Sequence, residues 1–176
     1  KYKGDPSLYP LTYIMEARAD YAMADFKGME SNLNIALTSL PKWKNGHTYN
    51  YTMGMLRVID FYNEYGNHRK ADSLTSILEG LSSTYLQNDI LAQEIKMRRA
   101  FTDVAMGSYD EALISLKELI AAWPTKLKLS YSFEAIKAED EAYKTQLLVD
   151  LFTAEIEAYR GKGEYQKAIE LLDTRN

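Results

Sequence analysis

The sequence predicts an all-α protein, a right-handed α-solenoid of about four helix-turn-helix units. Three observations point there. The first is an internal repeat. The run Asp20-Tyr21-Ala22-Met23-Ala24-Asp25-Phe26 returns 83 positions later as Asp103-Val104-Ala105-Met106-Gly107-Ser108-Tyr109, and the same shift carries Ala17 onto Ala100 and Pro41 onto Pro124. A second pair interleaves with it: Tyr62, Gly66, Lys70, Ala71 and Leu74 recur 97 positions on as Tyr159, Gly163, Lys167, Ala168 and Leu171. The second observation is the spacing of the turns that result, at Phe26, His68, Tyr109 and Tyr165, separated by 42, 41 and 56 residues. Periods of this size mark stacked supersecondary units. The third is that apolar residues recur in steps of three and four, the period of a helix with one covered face.

The elements follow in order. Pro10 opens the first helix, where its missing N–H costs nothing. Tyr13, Ala17 and Tyr21 mark one face. Asp25 and Phe26 make the turn. Met29, Leu33, Ala36 and Leu37 stripe the return helix, which stops before Pro41. Pro41 to His47 is a connector with an Asn45-Gly46 turn signal. The next outgoing helix carries Met55, Val58, Ile59 and Tyr62, and Gly66 breaks it. Ala71, Leu74 and Leu78 stripe its partner to about Leu81, where Ser82-Ser83 loosens the chain. Asn88 or Asp89 caps a third outgoing helix with Leu91, Ile95, Ala100 and Val104. Gly107-Ser108 turns it into Ala112, Leu116, Leu119 and Ile120, which end at Trp123-Pro124. From Lys126 to Phe133 the chain alternates strictly, which reads as an extended piece or as an irregular connector. The final outgoing helix holds Leu148, Phe152, Ile156 and Tyr159. Gly161 and Gly163 end it, and Ala168, Leu171 and Leu172 begin the last return helix. One array therefore fills 1–176, with units near 10–41, 48–82, 88–124 and 140–176 and an insert near 125–140.

These residues resemble the tetratricopeptide repeat family, in which an outgoing helix carries an aromatic and a tyrosine and the return helix carries Ala, a large apolar residue and an exit Pro. The fourth unit matches best, with Phe152, Ile156, Tyr159, Gly163, Tyr165, Ala168 and Leu172. The third offers Ala100, Gly107, Tyr109, Ala112, Leu116 and Pro124; the second Tyr62, Gly66, Ala71 and Leu78. The first is degenerate, with Phe26, Leu33, Ala36 and Pro41, and with Met29 in place of Ala. Two departures stand out. The period exceeds the family's usual value of about 34, so the helices should be longer. Asp20 and Asp103 also occupy the tyrosine position. They are either hydrogen-bonded to Arg or Tyr, or solvated by a slip in helix phase, and the second is the expectation.

The resemblance implies a concave groove lined by outgoing helices. It places Arg18, Arg57 and Arg98 there, one per unit, with Tyr21, Asp60 and Phe101 beside them. Guanidinium groups in such a column would grip a carboxylate bidentately; the plain alternative is ordinary ion pairs. The family's chaperone clamp is not expected, because Ile14 and Glu94 replace its lysines and Arg18 and Arg57 its asparagines. The implied function is a protein–protein interaction scaffold that binds a peptide or partner segment. The alternative is an extracytoplasmic sensor region, since the array is similar to the sensory regions of some Bacteroidetes membrane-anchored regulators. The chain opens at Lys1 and closes about eleven residues past Tyr165, so both ends read as cut, and a cell-envelope location is slightly favoured.

Composition narrows the classes. Net charge is -4 and the pI about 5.3, which leaves no basic footprint for nucleic acid. No apolar run approaches the roughly 18 residues of a membrane span. With no cysteine and only two histidines, no metal site is expected; no cofactor is expected either. His68 sits where its equivalents are aromatic and reads as a seam-filling ring. Glu139-Asp140-Glu141 reads as a helix start or solvated face. Phosphate-cradling loops, nucleophile elbows and zinc-protease signatures are absent, so no enzyme is expected. Trp43, Tyr49, Tyr51, Trp123, Tyr131 and Phe133 fall in connectors and are expected to staple neighbouring units.

Overall fold

A computed structural model describes residues 10–43, 48–85, 89–121 and 137–173. All regular structure among them is helical: α1 (Pro10–Ala22), α2 (Phe26–Ser39), a 3-10 turn (Leu40–Trp43), α3 (Thr48–Tyr65), α4 (His68–Tyr85), α5 (Asp89–Met106), α6 (Tyr109–Ala121), α7 (Lys137–Gly161) and α8 (Tyr165–Asp173). The alternating stretch Lys126 to Phe133, with Trp123 and Tyr131, lies outside the described residues. The chain forms two compact units, Lys1–Tyr85 and Leu86–Asn176. Each contains two helical hairpins.

The same turn closes all four hairpins. Ala24, Gly66, Gly107 and Gly163 lie at φ 58°, 85°, 83° and 76°. Each sits two residues before the aromatic or histidine that begins the return helix. The next amide along donates back to the carbonyl five residues earlier: Asp25 to Asp20 (2.8 Å), Asn67 to Tyr62 (2.8 Å), Ser108 to Asp103 (2.8 Å) and Glu164 to Tyr159 (2.9 Å). This is the Schellman ending, which needs one left-handed residue and therefore favours glycine. The same four residues then start the return helices. Their carbonyls accept from Met29, Ala71, Ala112 and Ala168 at 3.0 to 3.3 Å. Asp25 also caps Gly28 through its carboxylate (2.9 Å), and Asn67 caps Lys70 through its amide oxygen (3.3 Å). One residue thus ends one helix and caps the next.

In unit 1 the core is built from Ile14 and Ala17 of α1, Met29, Leu33 and Ala36 of α2, Leu56, Ile59, Phe61 and Tyr62 of α3, and Ala71 and Leu78 of α4. Gly54 lets the Leu40 side chain lie directly on α3, because a β-carbon there would meet it. Two ion pairs tie the hairpins side by side. Arg18 of α1 reaches Glu64 of α3 at 2.9 Å, and Lys70 of α4 reaches Glu30 of α2 at 3.3 Å.

In unit 2, α6 packs between α5 and α7, and α7 runs back beside α8. Met97, Ala100, Ala112, Leu116, Leu119, Leu147, Leu151 and Ala154 form one cluster. Leu113, Ala158, Tyr159 and Ala168 form the next, closer to the turn. Tyr109 at the start of α6 lies flat against Gly161 at the end of α7, where any β-carbon would collide with the ring. Lys162 then reaches Asp110 at 2.5 Å.

Several expectations need correction. Asp20 and Asp103 are not solvated. The Asn32 amide donates to the Asp20 carboxylate at 2.7 Å, and Arg99 stands 3.6 Å from Asp103 with both side chains mostly covered. Helix phase has not slipped; each carboxylate found a donor in a half-buried position, as burial demands. Tyr51 is not in a connector but buried inside α3. α4 runs through Ser82-Ser83 to Tyr85, because serine in a last turn costs only a few tenths of a kcal/mol. The covered stripe of α7 is Leu147, Leu151, Ala154 and Ala158, one residue ahead of the expected Leu148 and Phe152. On α1 the covered residue is Ile14 rather than Tyr13. Glu139-Asp140-Glu141 lies in the first turns of α7. Among the described residues, no helix is long and apolar enough to cross a membrane.

Candidate functional site

Unit 1 gathers arginine and aromatic rings at the turn end of α1 and α3. Residues spaced by three or four share a helix face, so Arg18 and Tyr21 of α1 stand together. So do Arg57, Phe61, Glu64 and Tyr65 of α3. Tyr21 meets Phe61 edge-on at 5.8 Å, Tyr65 at 5.5 Å and Phe26 at 6.1 Å. Phe26 in turn lies 6.3 Å from Tyr65. The Arg18 guanidinium stands 5.5 Å from the Phe61 ring centroid while it pairs with Glu64. Ring edges meeting ring faces, with a cation over one ring, are the arrangement the quadrupole favours. Phe61 is the buried floor of this cluster, whereas Tyr21 and Phe26 are exposed.

The residues expected in a groove divide between the two units. Arg18 and Tyr21 come together in this cluster. Arg57 is exposed, and Asp60 is half-buried one turn from it. In unit 2, Arg98 pairs within α5 with Glu94, and their side chains are only 14% and 11% exposed. Phe101 packs against the cluster of Met97, Leu147 and Leu151. Arg98 and Phe101 are thus both partly covered.

Sequence reading missed Phe61, Glu64 and Tyr65. The three-and-four spacing from Arg57 through Phe61 to Glu64 carries the signal. It also missed a cleft of about 220 Å³ in unit 2, lined by Lys117, Lys162, Lys167, Tyr159, Asp110 and Glu164 over Leu113. The Tyr159 ring is flanked by the Lys117 and Lys167 ammonium groups at 5.4 and 5.5 Å. Hydrogen bonding to Tyr159 raises the Lys117 pKa. Asp110 and Glu164 raise that of Lys162, and Lys167 and Lys162 lower that of Glu164. Two of the three lysines are thus already engaged with carboxylates, and the cleft is close to charge-balanced.

The repeated Tyr-Lys pair has a physical meaning here. Lys70 stands 4.7 Å over the Tyr62 ring, and Lys167 repeats this over Tyr159. Each clamps a return helix onto its own outgoing helix across the turn. Burial raises the Tyr62 pKa, with Lys70 partly offsetting it. For Lys70, burial lowers the pKa, but Tyr62 and Glu30 outweigh it and the net shift is upward. His68, at the same turn, is half-buried with Nδ1 3.4 Å from the Asn63 amide oxygen. No protein family, curated protein or solved structure matches this chain.

Proposed function

We propose that this chain is a protein-interaction scaffold: a right-handed, tetratricopeptide-like α-solenoid that holds a peptide or partner segment over its outgoing helices. The reading rests on one observation, the cluster of Tyr21, Phe26, Phe61 and Tyr65 with Arg18 over it and Arg57 exposed on the same helix as Phe61. Tyrosine and arginine carry a large share of binding energy at protein interfaces, because rigid rings offer area at low entropic cost and guanidinium offers directed donors. The cluster is already held by its own edge contacts, so little order remains to be lost on binding. Its partner would present an apolar side chain to the exposed rings and a carboxylate to Arg57. Arg98 and Phe101 would serve as framework for the outgoing helix of unit 2.

Panning a random peptide display library against the chain tests this. Enriched peptides should combine an apolar or aromatic residue with an acidic one. Arg57→Ala should weaken the best of them about tenfold or more with the melting temperature unchanged, and Tyr21→Ala should weaken it as much in a chain that stays folded but melts lower, because three ring contacts are lost. Peptides that bind both variants as tightly as the original chain would contradict the reading.

A further inference from the structure

The Tyr–Lys pair is used twice, and one copy has lost the carboxylate that closes the other. In unit 1, Glu30 of α2 reaches Lys70 of α4 at 3.3 Å, and Lys70 stands 4.7 Å over the Tyr62 ring of α3. The two sequence shifts carry this triad into unit 2. A shift of 83 takes Glu30 to Leu113, and a shift of 97 takes Tyr62 and Lys70 to Tyr159 and Lys167. Leucine thus stands where unit 1 has its acid. There the cleft of about 220 Å³ opens, with all its walls on α6, the end of α7 and the start of α8. The shift of 83 also takes Asn34 to Lys117, so unit 2 has gained a cation beside the missing acid.

The ion pairs show which charge is in excess. Lys162 stands 2.5 Å from Asp110 and 3.0 Å from Glu164, and Lys167 stands 2.5 Å from Glu164. Two acids and two lysines are satisfied in that chain of pairs, and Lys117 stands outside it. Its ammonium lies 5.4 Å from the Tyr159 ring centroid. Hydrogen bonding to Tyr159 raises its pKa, with Glu155 and Glu164 adding to this by charge, so it is a cation at neutral pH. The lining therefore carries three ammonium groups against two carboxylates. Apolar surface adjoins the excess charge: Leu113 lies in the lining, and Ile114 on its rim is 62% exposed.

We propose that this cleft binds a small carboxylic acid with a short apolar body, its carboxylate set between Lys117 and Lys167 beside Tyr159, as the Glu30 carboxylate is set on Lys70 beside Tyr62. The apolar body covers Leu113 and Ile114. Size selects a free acid of few atoms, because the cleft is smaller than the roughly 300–1,000 Å³ of pockets that hold larger ligands. Charge selects an anion, and a partly desolvated ammonium holds one more firmly than an ammonium in open water. The inference does not depend on the peptide-binding reading, which concerns unit 1.

The test is a titration of the isotope-labelled chain with phenylacetate, followed by the shifts of its backbone amides. The amides around Lys117, Tyr159 and Lys167 should move together and saturate with a dissociation constant of about 1 mM, as suits a ligand of about ten atoms. Added salt should weaken the binding, and phenylacetamide, which has the same shape without the charge, should not bind. Lys117→Asn installs the unit 1 residue at an exposed position and should abolish the response while the helical circular dichroism is unchanged. Leu113→Glu supplies the missing carboxylate from within and should also abolish it; Lys117→Asn decides the matter if that variant does not fold. No saturable shift by about 20 mM phenylacetate would overturn the proposal. So would equal binding of the amide, or undiminished binding to Lys117→Asn. A response at these residues to a capped Asp-Phe dipeptide, with none to phenylacetate, would assign the cleft to a protein side chain and would overturn it as well.

Discussion

The Tyr109 ring lies against Gly161, so the start of one return helix is fixed to the end of the next outgoing helix by a contact that only a glycine permits. In unit 1 the turn aromatic Phe26 stands between Tyr21 of its own hairpin, 6.1 Å away, and Tyr65 of the next, 6.3 Å away.

Replacing Gly161 with Ala should be destabilising, although alanine is the better helix former by about 1 kcal/mol. Forcing the ring aside should cost about 1–3 kcal/mol. The check is a double-mutant cycle by urea unfolding. In a Tyr109→Ala background the same change should be neutral or stabilising. A Gly161→Ala cost that persists there would mean the ring is not its cause.

The arginines should separate by burial. Arg98→Ala leaves the buried Glu94 carboxylate without this cation and should cost about 1–3 kcal/mol. Arg57→Ala, at an exposed position, should change stability by less than about 0.5 kcal/mol. Thermal melts of the two variants decide it; equal shifts would place both arginines on one footing.

Alkaline pH should weaken unit 1. Tyr51 and Tyr62 are raised above 10.0 by burial, and Lys70 is raised above 10.5. Above about pH 10 the unfolded chain releases these protons first, so the folded chain binds more protons and stability falls as pH rises. Below pH 10 these groups contribute a constant amount. The urea midpoint should hold from pH 7 to about pH 10 and then drop. Phenolate absorbance should show part of the 14 tyrosines titrating late. A single early transition for all of them would contradict the burial of Tyr51 and Tyr62.

Helix type and turn position were legible because both depend on local chemistry. Gly66, Gly107 and Gly163 mark the left-handed residue, and the repeated Tyr, Lys and Ala mark what flanks it. Helix phase was less legible. In α7 the large residues Leu148, Phe152 and Ile156 suggest the covered face, yet Leu147, Leu151, Ala154 and Ala158 are buried together with the expected Tyr159, because the covered face runs one residue ahead and includes small residues that allow close helix approach. Asp20 and Asp103 misled for a related reason: a carboxylate reads as exposed until its donor, Asn32 or Arg99, is known in space. Arg98 is a case of the same kind. Its partner Glu94 is four residues away and visible in the sequence, but nothing in the sequence says that both would be covered.

The four turns are the basis of the repeat, and Ala24 is their exception: an L-residue held at φ 58° where the others use glycine. Chemical denaturation of Ala24→Gly beside Gly66→Ala and Gly163→Ala tests their equivalence most directly. A left-handed non-glycine residue costs about 1 kcal/mol. Ala24→Gly should therefore raise stability by up to about that amount, and the two glycine replacements should each lower it by about 1 kcal/mol. If Ala24→Gly is neutral or destabilising while the glycine replacements are costly, the first hairpin does not close as the other three do, and the chain is not a fourfold repetition of one turn.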